Sequence, residues 1–541
     1  MSDWFAVHSG VASIEAGLDM DMPGFTLPYL IGQNYSTYFG DNVVNAVNNG
    51  TVDVERLNDM IVRSMTPYYA LGQDQNFPSR DPASERINGF TPPSIYKNDW
   101  KPYLQGEANR DVRDNHGELI RKAAAESTIL LKNINNALPL QNPRHLAVFG
   151  NDAGDPVTGP LNQANYEYGT LPVGGGSGAG QFTYLVSPLY ALQQKIANNG
   201  GTIEYWLNNT YLATPPASNG LGGGGLLKSI TPDACIVFLK SWAAEGVDRD
   251  TLDLDWQGNE VVENVAALCN NTIVVTHSSG VNNLPWADHP NVTAILLAHY
   301  PGQESGNSIV DVLYGNVNPS GHLPYTIAYN GTDYNAPVVT SINTTGPNDW
   351  QSYFTEKLEV DYRYFDANNI DVRYEFGFGL SYSNFSLAEL QVQALSSNQI
   401  TPLPKNQTIQ PGGNPALWDV LYRAQVFVSN VAGPRGSAVP QLYVTFPSST
   451  PSGTPPYQLR GFVKVEIASG ERRTVEFDLM RRDLSYWDVS AQQWRIPEGE
   501  FTLHVGLSSR DLLTNTTLTV IESGSGGNST MRRRAPTPWT L

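Results

Sequence analysis

Five short apolar runs, separated by stretches with helical spacing, occupy the middle of this 541-residue chain. Runs of this kind, bounded by turn residues, are typical of strands that helices cover on both faces of a sheet. They lie at residues 146–150, 202–206, 235–239, 272–276 and 294–297. We therefore predict an α/β sandwich with a mainly parallel sheet over residues 111–335, entered through a helix at 119–131.

The region that follows changes to a β pattern. Apolar and polar residues alternate in five further runs with turn signals between them, at residues 424–428, 441–445, 462–467, 473–479 and 501–505. Alternation with a period of two predicts strands that are buried on one face, and several such strands in succession predict a β-sandwich. We assign this sandwich to residues 386–521, with a connector at 336–385 and a disordered tail at 522–541.

The N-terminal part of the chain has weaker signals. Apolar residues at helical spacing over 57–65 predict a helix within a segment that we place at residues 1–75. Residues 76–110 are rich in Pro, Asn, Asp and aromatic residues and show no sustained period, so we predict an interdomain linker there.

Composition narrows the range of partners. The formal net charge is −19 and the isoelectric point is near 4.8, which argues against nucleic acid and anionic membranes. We predict a protein that acts on neutral substrates, without a metal, since no cysteine or histidine spacing suits one. We expect Cys235 and Cys269 to be small buried side chains rather than a bridged pair. Eleven Asn-x-Ser/Thr sequons favour a glycosylated, secreted protein.

The first motif with chemistry is the pair Asp3-Trp4. A carboxylate can attack an anomeric carbon, and an indole ring can stack on the apolar face of a sugar. The alternative is an N-cap, because Ser-Asp before a helical pattern commonly has that role.

The second motif follows the strand at 235–239, where Glu245 is the first residue of Glu-Gly-Val-Asp-Arg. An acid at the carboxyl end of a strand, beside a glycine that lets a ligand approach the backbone, suits a proton donor. The alternative is a surface ion pair between Glu245 and Arg249, which would stabilise the fold by less than about 1 kcal/mol.

Three further features are less specific. The segment 174–180 is rich in glycine but lacks the Gly-Lys-Ser/Thr of a phosphate-binding loop, so a flexible turn is the simplest interpretation. Gly220–Gly225 is interpreted as a mobile loop. We expect Glu304 to be a carboxylate that backbone N–H groups stabilise at a helix start, and His322 to be structural.

Taken in order, these motifs resemble glycoside hydrolase family 3, the β-glucosidases of fungi and bacteria. The resemblance runs from Met1 to about residue 520 and includes the phrases at 300–306, 315–326 and 373–382. It implies that Asp3 is the catalytic nucleophile, that Glu245 is the general acid/base, and that Ser177 lies against the bound sugar beside Trp4.

The resemblance also implies a fold and an activity. Residues 1–75 would be the C-terminal remnant of a (β/α)8-type barrel, and residues 386–521 a fibronectin type III-like domain. The activity would be that of a retaining exo-β-glycosidase that removes terminal non-reducing β-D-glucosyl residues from β-glucosides or cello-oligosaccharides, with no cofactor. It predicts no oligomeric state.

Several alternatives remain open. Many fungal members have Tyr where this chain has Val247, which leaves the aglycone preference undecided, and β-xylosidase or another exo-β-glycosidase is the competing activity. A barrel needs on the order of 250 residues, and this chain begins at the nucleophile motif. We therefore expect it to lack most of the barrel and to hydrolyse β-glucosides poorly. A non-catalytic glycan-binding or scaffold protein is the alternative from another class.

Overall fold

The computed structural model describes residues 1–24, 37–76, 113–157, 167–176, 179, 182–215, 231–341, 353–395, 400–410 and 412–521. The chain divides into two compact units, the N-terminal unit Met1–Asp114 and the C-terminal unit Asn115–Leu541. Among these described residues, no helix combines the length and the apolarity that crossing a lipid bilayer requires.

The described part of the N-terminal unit is helical. Its helices are α1 (Val11–Glu15), α2 (Asp41–Asn48) and α3 (Val54–Ala70). Asp53 caps α3 by accepting a hydrogen bond from the N–H of Glu55, at 3.0 Å, which satisfies a donor that the first turn leaves unpaired. The helices pack on a small core of Val7, Ile14, Phe39, Ala46, Val52 and Met60.

The helix expected at 57–65 is confirmed as part of α3. Two other expectations for this part of the chain, the barrel remnant and the linker, stay predictions. In the described residues of the unit the only strand-like pairing is an isolated bridge between Trp4 and Met22, which does not test the barrel remnant. The linker at 76–110 lies almost wholly outside the described residues, as do the tail and Gly220–Gly225.

The C-terminal unit begins with the predicted α/β domain. Its sheet has the strands β1 (Ile129–Asn133), β2 (His145–Phe149), β3 (Thr202–Trp206), β4 (Ala234–Ser241), β5 (Thr272–Ser278) and β6 (Val292–Leu297). They lie in the order β1-β6-β5-β4-β2-β3, and all are parallel except β1, which runs antiparallel to β6 at the edge. The mainly parallel sheet is confirmed.

Helices cover both faces of this sheet, as the continuous apolar runs require. One face packs against α4 (His116–Ser127), α5 (Pro188–Asn198) and α8 (Ser305–Leu313), and the other against α6 (Asn209–Leu212) and α7 (Gly258–Ala266). The central strands β4, β5 and β6 are buried along their whole length.

Two expectations for this domain are wrong. The helix expected over 119–131 ends at Ser127, and Ile129–Asn133 pairs with β6 instead, since its apolar residues can enter the sheet core. The two cysteines are bridged: Cys235 is the second residue of β4, and Cys269 follows α7, which packs on the same strand. Burial of both side chains by one helix–strand contact brings the sulfurs together.

The rest of the unit forms the predicted β-sandwich, which follows helix α9 (Tyr362–Ala367). Its strands are β7 (Asn384–Ala394), β8 (Val420–Ala432), β9 (Gly436–Ala438), β10 (Gln441–Thr445), β11 (Gln458–Phe462), β12 (Val465–Ile467), β13 (Arg472–Met480), β14 (Tyr486–Asp488), β15 (Gln493–Arg495), β16 (Gly499–Gly506) and β17 (Leu512–Ile521). One sheet has the order β13-β8-β7 and the other β11-β10-β16-β17, with the two-stranded ribbons β9-β12 and β14-β15 beside them.

Burial along β8 shows why the alternating pattern predicted these strands. Ala424, Val426 and Val428 face the core between the sheets, while Arg423 and Gln425 face outward. On the outer face Arg423 pairs with Asp478 of the neighbouring strand, at 2.7 Å, as opposite charges across an antiparallel pair should.

Candidate active site

The Asp3-Trp4 segment lies beside residues 20–22 in the N-terminal unit. Ser2 donates its N–H to the carbonyl of Met20 and Phe5 donates to the carbonyl of Met22, both at 2.9 Å, while the N–H of Met22 donates to the hydroxyl of Ser2 at 2.8 Å. These bonds leave the Asp3 carboxylate and the Trp4 indole on the surface of the unit. Asp3 is not an N-cap, since α1 begins at Val11 and its N-cap is Gly10.

An arginine of α3 fixes the loop that carries this pairing. Arg56 donates to the carbonyls of Ile14 and Leu18 and to the carboxylate of Asp19, at 2.7–3.1 Å. The guanidinium thus satisfies the carbonyl groups at the end of α1 and a carboxylate at once, which its planar fork of donors allows. Burial raises the pKa of the neighbouring Asp21.

Glu245 lies at the carboxyl edge of the six-stranded sheet, where the strand order reverses. The chain passes from β2 outward to β3 and then returns to β4 on the other side of β2. In open α/β sheets the crevice outside the carboxyl ends of strands at such a reversal is where ligands bind. Glu245 follows β4 and is therefore placed at that crevice.

A tight hairpin presents the Glu245 side chain. Ala244 and Val247 exchange two backbone hydrogen bonds, at 3.2 and 2.9 Å, so that Glu245 and Gly246 form the two-residue tip. Gly246 has a φ of 74°, a conformation that glycine adopts without strain. Glu245 is exposed at this tip.

The glycine-rich segment packs against the hairpin. Gly175 donates its N–H to the carbonyl of Ala243 at 3.1 Å. Gly176 has a φ of 112°, and a methyl group added there would lie 2.7 Å from the Cβ of Glu245. Glycine is therefore required because the backbone approaches the candidate acid directly. Ser177, the predicted sugar contact, lies outside the described residues.

The surface-pair alternative for Glu245 is not what the structure shows. Arg249 donates instead to the carbonyl of Val281 and to the side chain of Asn282, both at 2.7 Å, and more weakly to the carbonyl of Asp253. It thereby joins the loop after β4 to the loop after β5. Burial lowers the pKa of this guanidinium, although it remains charged at any ordinary pH.

Sequence reasoning missed a cluster of buried polar side chains beneath the hairpin. His277 Nδ1 lies 2.6 Å from the carboxylate of Asp152 with neither side chain exposed, and Lys240 is equally buried. Desolvation lowers the pKa of Lys240 to about 8, against the attraction of Asp152 and Asp255. The available signal was a charged residue inside an apolar strand, as Lys240 is in β4 and His277 in β5.

Of the two residues expected to be structural, Glu304 is buried and His322 is partly buried. Glu304, directly before α8, accepts hydrogen bonds from the hydroxyl of Tyr184 and the amide of Asn307, at 2.5 and 2.6 Å. These donors are side chains, so the expected backbone N–H groups are not what stabilises it. His322 donates from Nδ1 to the carbonyl of Ser320, and burial lowers its pKa. Within the described ranges, no group of His, Cys, Asp and Glu side chains is arranged to hold a metal ion.

Comparisons with known proteins agree with this architecture. The glycosyl hydrolase family 3 C-terminal domain matches residues 128–382, and the fibronectin type III-like domain matches residues 438–509. The crystal structure of the β-D-glucoside glucohydrolase of Trichoderma reesei is 35% identical, with a TM-score of 0.78 over 96% of this chain and 67% of that one. A family 3 β-glucosidase of Neurospora crassa is 34% identical, with a TM-score of 0.79 over 96% and 69%. This chain belongs to glycoside hydrolase family 3.

Curated relatives are closer in sequence. A probable β-glucosidase G of Aspergillus flavus is 60% identical over 520 residues, and one of Neosartorya fischeri is 61% identical over 512. The alignments span 96% and 95% of this chain but only 63% and 62% of those proteins. The chain thus represents less than two thirds of the length of these curated relatives.

Proposed function

We propose that this protein is a retaining β-glucosidase, which hydrolyses terminal non-reducing β-D-glucosyl residues. The observation that carries the proposal is the position of Glu245, exposed on a tight hairpin at the strand-order reversal of the sheet. Relatives with about 60% identity that bear the name probable β-glucosidase support the sugar and the linkage.

Asp3 and Glu245 divide the chemistry between them. The carboxylate of Asp3 attacks the anomeric carbon while Glu245 gives its proton to the departing glycosidic oxygen, so that an aglycone alcohol leaves and a covalent glucosyl-enzyme forms. Glu245 then removes a proton from water, which displaces Asp3 and releases glucose with retained configuration. Such a mechanism requires the two carboxyl groups to lie roughly 5–5.5 Å apart at the sugar.

Trp4 and Ser177 hold the sugar in this proposal. An exposed indole next to the nucleophile can stack on the apolar face of the pyranose, and Trp4 is 58% exposed. Ser177 follows directly after Gly176, whose backbone contacts the Glu245 hairpin. Residues 1–75 are proposed to be the end of the family barrel, with the α/β domain and the β-sandwich after it.

The test of the nucleophile uses two proteins, the 541-residue chain and a fusion that adds the N-terminal barrel region of the Trichoderma reesei relative. We expect turnover of aryl β-D-glucosides by the fusion, little turnover by the 541-residue chain, and a loss of about 10⁴-fold or more on Asp3→Asn. Glu15→Gln, at another exposed carboxyl of the same unit, is the control. An active Asp3→Asn fusion, or faster hydrolysis of aryl β-xylosides than of glucosides, would refute the assignment.

The test of the acid/base uses leaving groups of different acidity. In Glu245→Ala, hydrolysis of 2,4-dinitrophenyl β-D-glucoside should survive far better than hydrolysis of an alkyl glucoside, because a good leaving group needs no protonation. Azide should restore turnover and give β-glucosyl azide, since azide attacks without a general base. Asp250→Asn, which changes an exposed carboxyl five residues further on, should behave like the parent. Glucoside binding without hydrolysis in the fusion would favour the non-catalytic alternative.

We also propose that the protein is secreted. A disulfide between Cys235 and Cys269 suits an oxidising compartment, and the sequon residues Asn49, Asn208 and Asn270 are exposed. Removal of N-glycans should shift the mass of the protein isolated from its source, and an unshifted mass would contradict this proposal.

A further inference from the structure

Beneath the Glu245 hairpin lies a set of side chains with the chain order of a hydrolytic triad. Ser305 Oγ is 3.5 Å from His277 Nε2, and His277 Nδ1 is 2.6 Å from Asp152. None of the three side chains reaches the surface. A nucleophile that no substrate can reach does not catalyse hydrolysis, and the contacts of these three residues are with backbone and side-chain groups of the protein.

The backbone that they hold is the Gly169–Gly176 segment, which leads into the glycine-rich residues 174–180 and includes the first three of them. Asp152 accepts a hydrogen bond from the N–H of Leu171 at 2.8 Å. The hydroxyl of Thr170 lies 3.4 Å from His277 Nδ1 and 3.3 Å from Ser305 Oγ. The segment is thus tied to the ends of β2 and β5 and to the start of α8.

Lys240 adds the tie to β4. Its ammonium donates to the carbonyl of Gly169 and lies 5.3 Å from the ring centroid of Trp256. The backbone carbonyl of the same lysine accepts from the N–H of Asp255, whose carboxylate accepts from the N–H of Trp242 at 2.6 Å. Lys240 therefore binds the Gly169–Gly176 segment with its side chain, and its backbone carbonyl binds Asp255, which in turn binds the residue at the start of the Glu245 hairpin.

The far end of the segment reaches the hairpin. Gly175 donates its N–H to the carbonyl of Ala243, and a methyl group added at Gly176 would lie 2.7 Å from the Cβ of Glu245, so the two backbones are in direct contact. A displacement at Gly169 is therefore passed along a chain of direct contacts to the residue that carries the candidate acid.

We propose that Lys240, with the Asp152–His277 pair, is a positioning element that holds the Gly169–Gly176 segment against the hairpin and so fixes the side chain of Glu245. Lys240 does not touch substrate in this proposal and acts only through the backbone. The catalytic consequence rests on the proposed function, whereas the mechanical coupling of the two loops does not.

The mechanical part is tested by hydrogen exchange on the 541-residue chain. Lys240→Met keeps much of the side-chain volume but removes the donor to Gly169. The amides of Leu171, Gly175 and Val247 should then exchange about tenfold faster or more, because loss of the bond raises the equilibrium constant for local opening by that factor.

Lys132→Met is the matched control. The Lys132 ammonium likewise donates to backbone carbonyls, those of Ala287 and His289, but from the edge strand β1. It should leave exchange at both loops within about twofold of the parent. Unchanged exchange at Val247 in a folded Lys240→Met protein would overturn the proposal, as would equal acceleration by Lys132→Met. If Lys240→Met does not fold, His277→Gln supplies the same comparison.

The catalytic part is tested in the barrel fusion with a series of aryl glucosides. Misplacement of the acid should lower kcat most for poor leaving groups and leave KM nearly unchanged, because only those substrates need the proton from Glu245. A uniform loss across the series would contradict a positioning role. A parent fusion without any glucosidase activity would refute the proposed function, while the exchange result would still decide the coupling of the loops.

Discussion

His299 Nε2 lies 2.8 Å from the hydroxyl of Tyr325, in the loop after β6 at the carboxyl edge of the sheet. Burial lowers the pKa of His299 to about 4, with a smaller contribution from the nearby His277. Because the unfolded chain binds this proton near pH 6.5 and the folded one only near 4, the free energy of unfolding falls as the pH falls through that window. The group contributes on the order of 3 kcal/mol to that loss.

The first prediction follows from this linkage. His299→Gln should reduce the loss of stability between about pH 6.5 and 4, because the variant has no proton to bind on unfolding. Urea unfolding at a series of pH values measures the slope. His116→Gln, at an exposed ring on the first turn of α4, should keep the parent slope. A parent slope in His299→Gln would show that this ring is not the group that titrates.

The second prediction concerns Gly176. Gly176→Ala places a methyl group 2.7 Å from the Cβ of Glu245 and 3.1 Å from its backbone nitrogen, so the hairpin must move. We expect kcat/KM of the fusion to fall by about tenfold or more. Gly453→Ala has the same sign of φ but open space around the new methyl group, and it controls for backbone strain of about 1 kcal/mol. Equal activity of the two variants would contradict a direct clash.

The third prediction concerns the disulfide. Replacing Cys235 and Cys269 by Ser releases a loop closed over 34 residues. Chain entropy predicts a loss of about 3–4 kcal/mol in the free energy of unfolding. The midpoint of guanidinium unfolding should fall in the double variant, and a reductant should lower the parent midpoint while leaving that of the variant unchanged. Parent stability in the double variant would mean that the bridge does not constrain the unfolded chain.

The fourth prediction concerns Arg56 in the N-terminal unit. Arg56→Lys keeps the charge but cannot reach the carbonyls of Ile14 and Leu18 and the carboxylate of Asp19 together. We expect faster proteolysis of the loop that follows α1 and a loss of about 1–3 kcal/mol in the stability of this unit. Arg63→Lys, which changes a 63% exposed side chain paired only with Asp59, should have little effect. Equal proteolysis of both variants would contradict the anchoring role.

Local patterns predicted much of the fold. The strands of the α/β domain other than β1 were found within two residues, as were β10, β13 and β16 of the β-sandwich, because burial there produces a period that can be read along the chain. The run at 424–428 is only the centre of β8, and the run at 462–467 contains the last residue of β11 and all of β12. The strands β7, β9, β14, β15 and β17 were not predicted. We predicted a helix at β1, since Ile129–Asn133 continues the apolar pattern of the helix before it. Only pairing with β6 distinguishes a strand from a further helical turn there.

The candidate site stays a prediction, and its residues differ in how clearly the sequence indicates them. Glu245 was proposed because its glycine and the preceding apolar strand are neighbours in sequence. Asp152, Lys240 and His277 were not found, because each looks like an isolated polar residue until β2, β4 and β5 are placed side by side. Their burial is favourable only as a group, since each supplies the charge or hydrogen bond that another would lack.

The sequence by itself determined most of the strands and helices, and its short phrases indicated family 3. These features depend on residues a few positions apart, whose side chains share a face of one element. The tertiary structure alone decided that Cys235 meets Cys269 and that Arg249 turns away from Glu245. It also brought Asp152, Lys240 and His277 into contact with residues 169–171. Those contacts join residues from different elements, and the free energy that selects them comes from desolvation and packing that exist only when the whole sheet has formed.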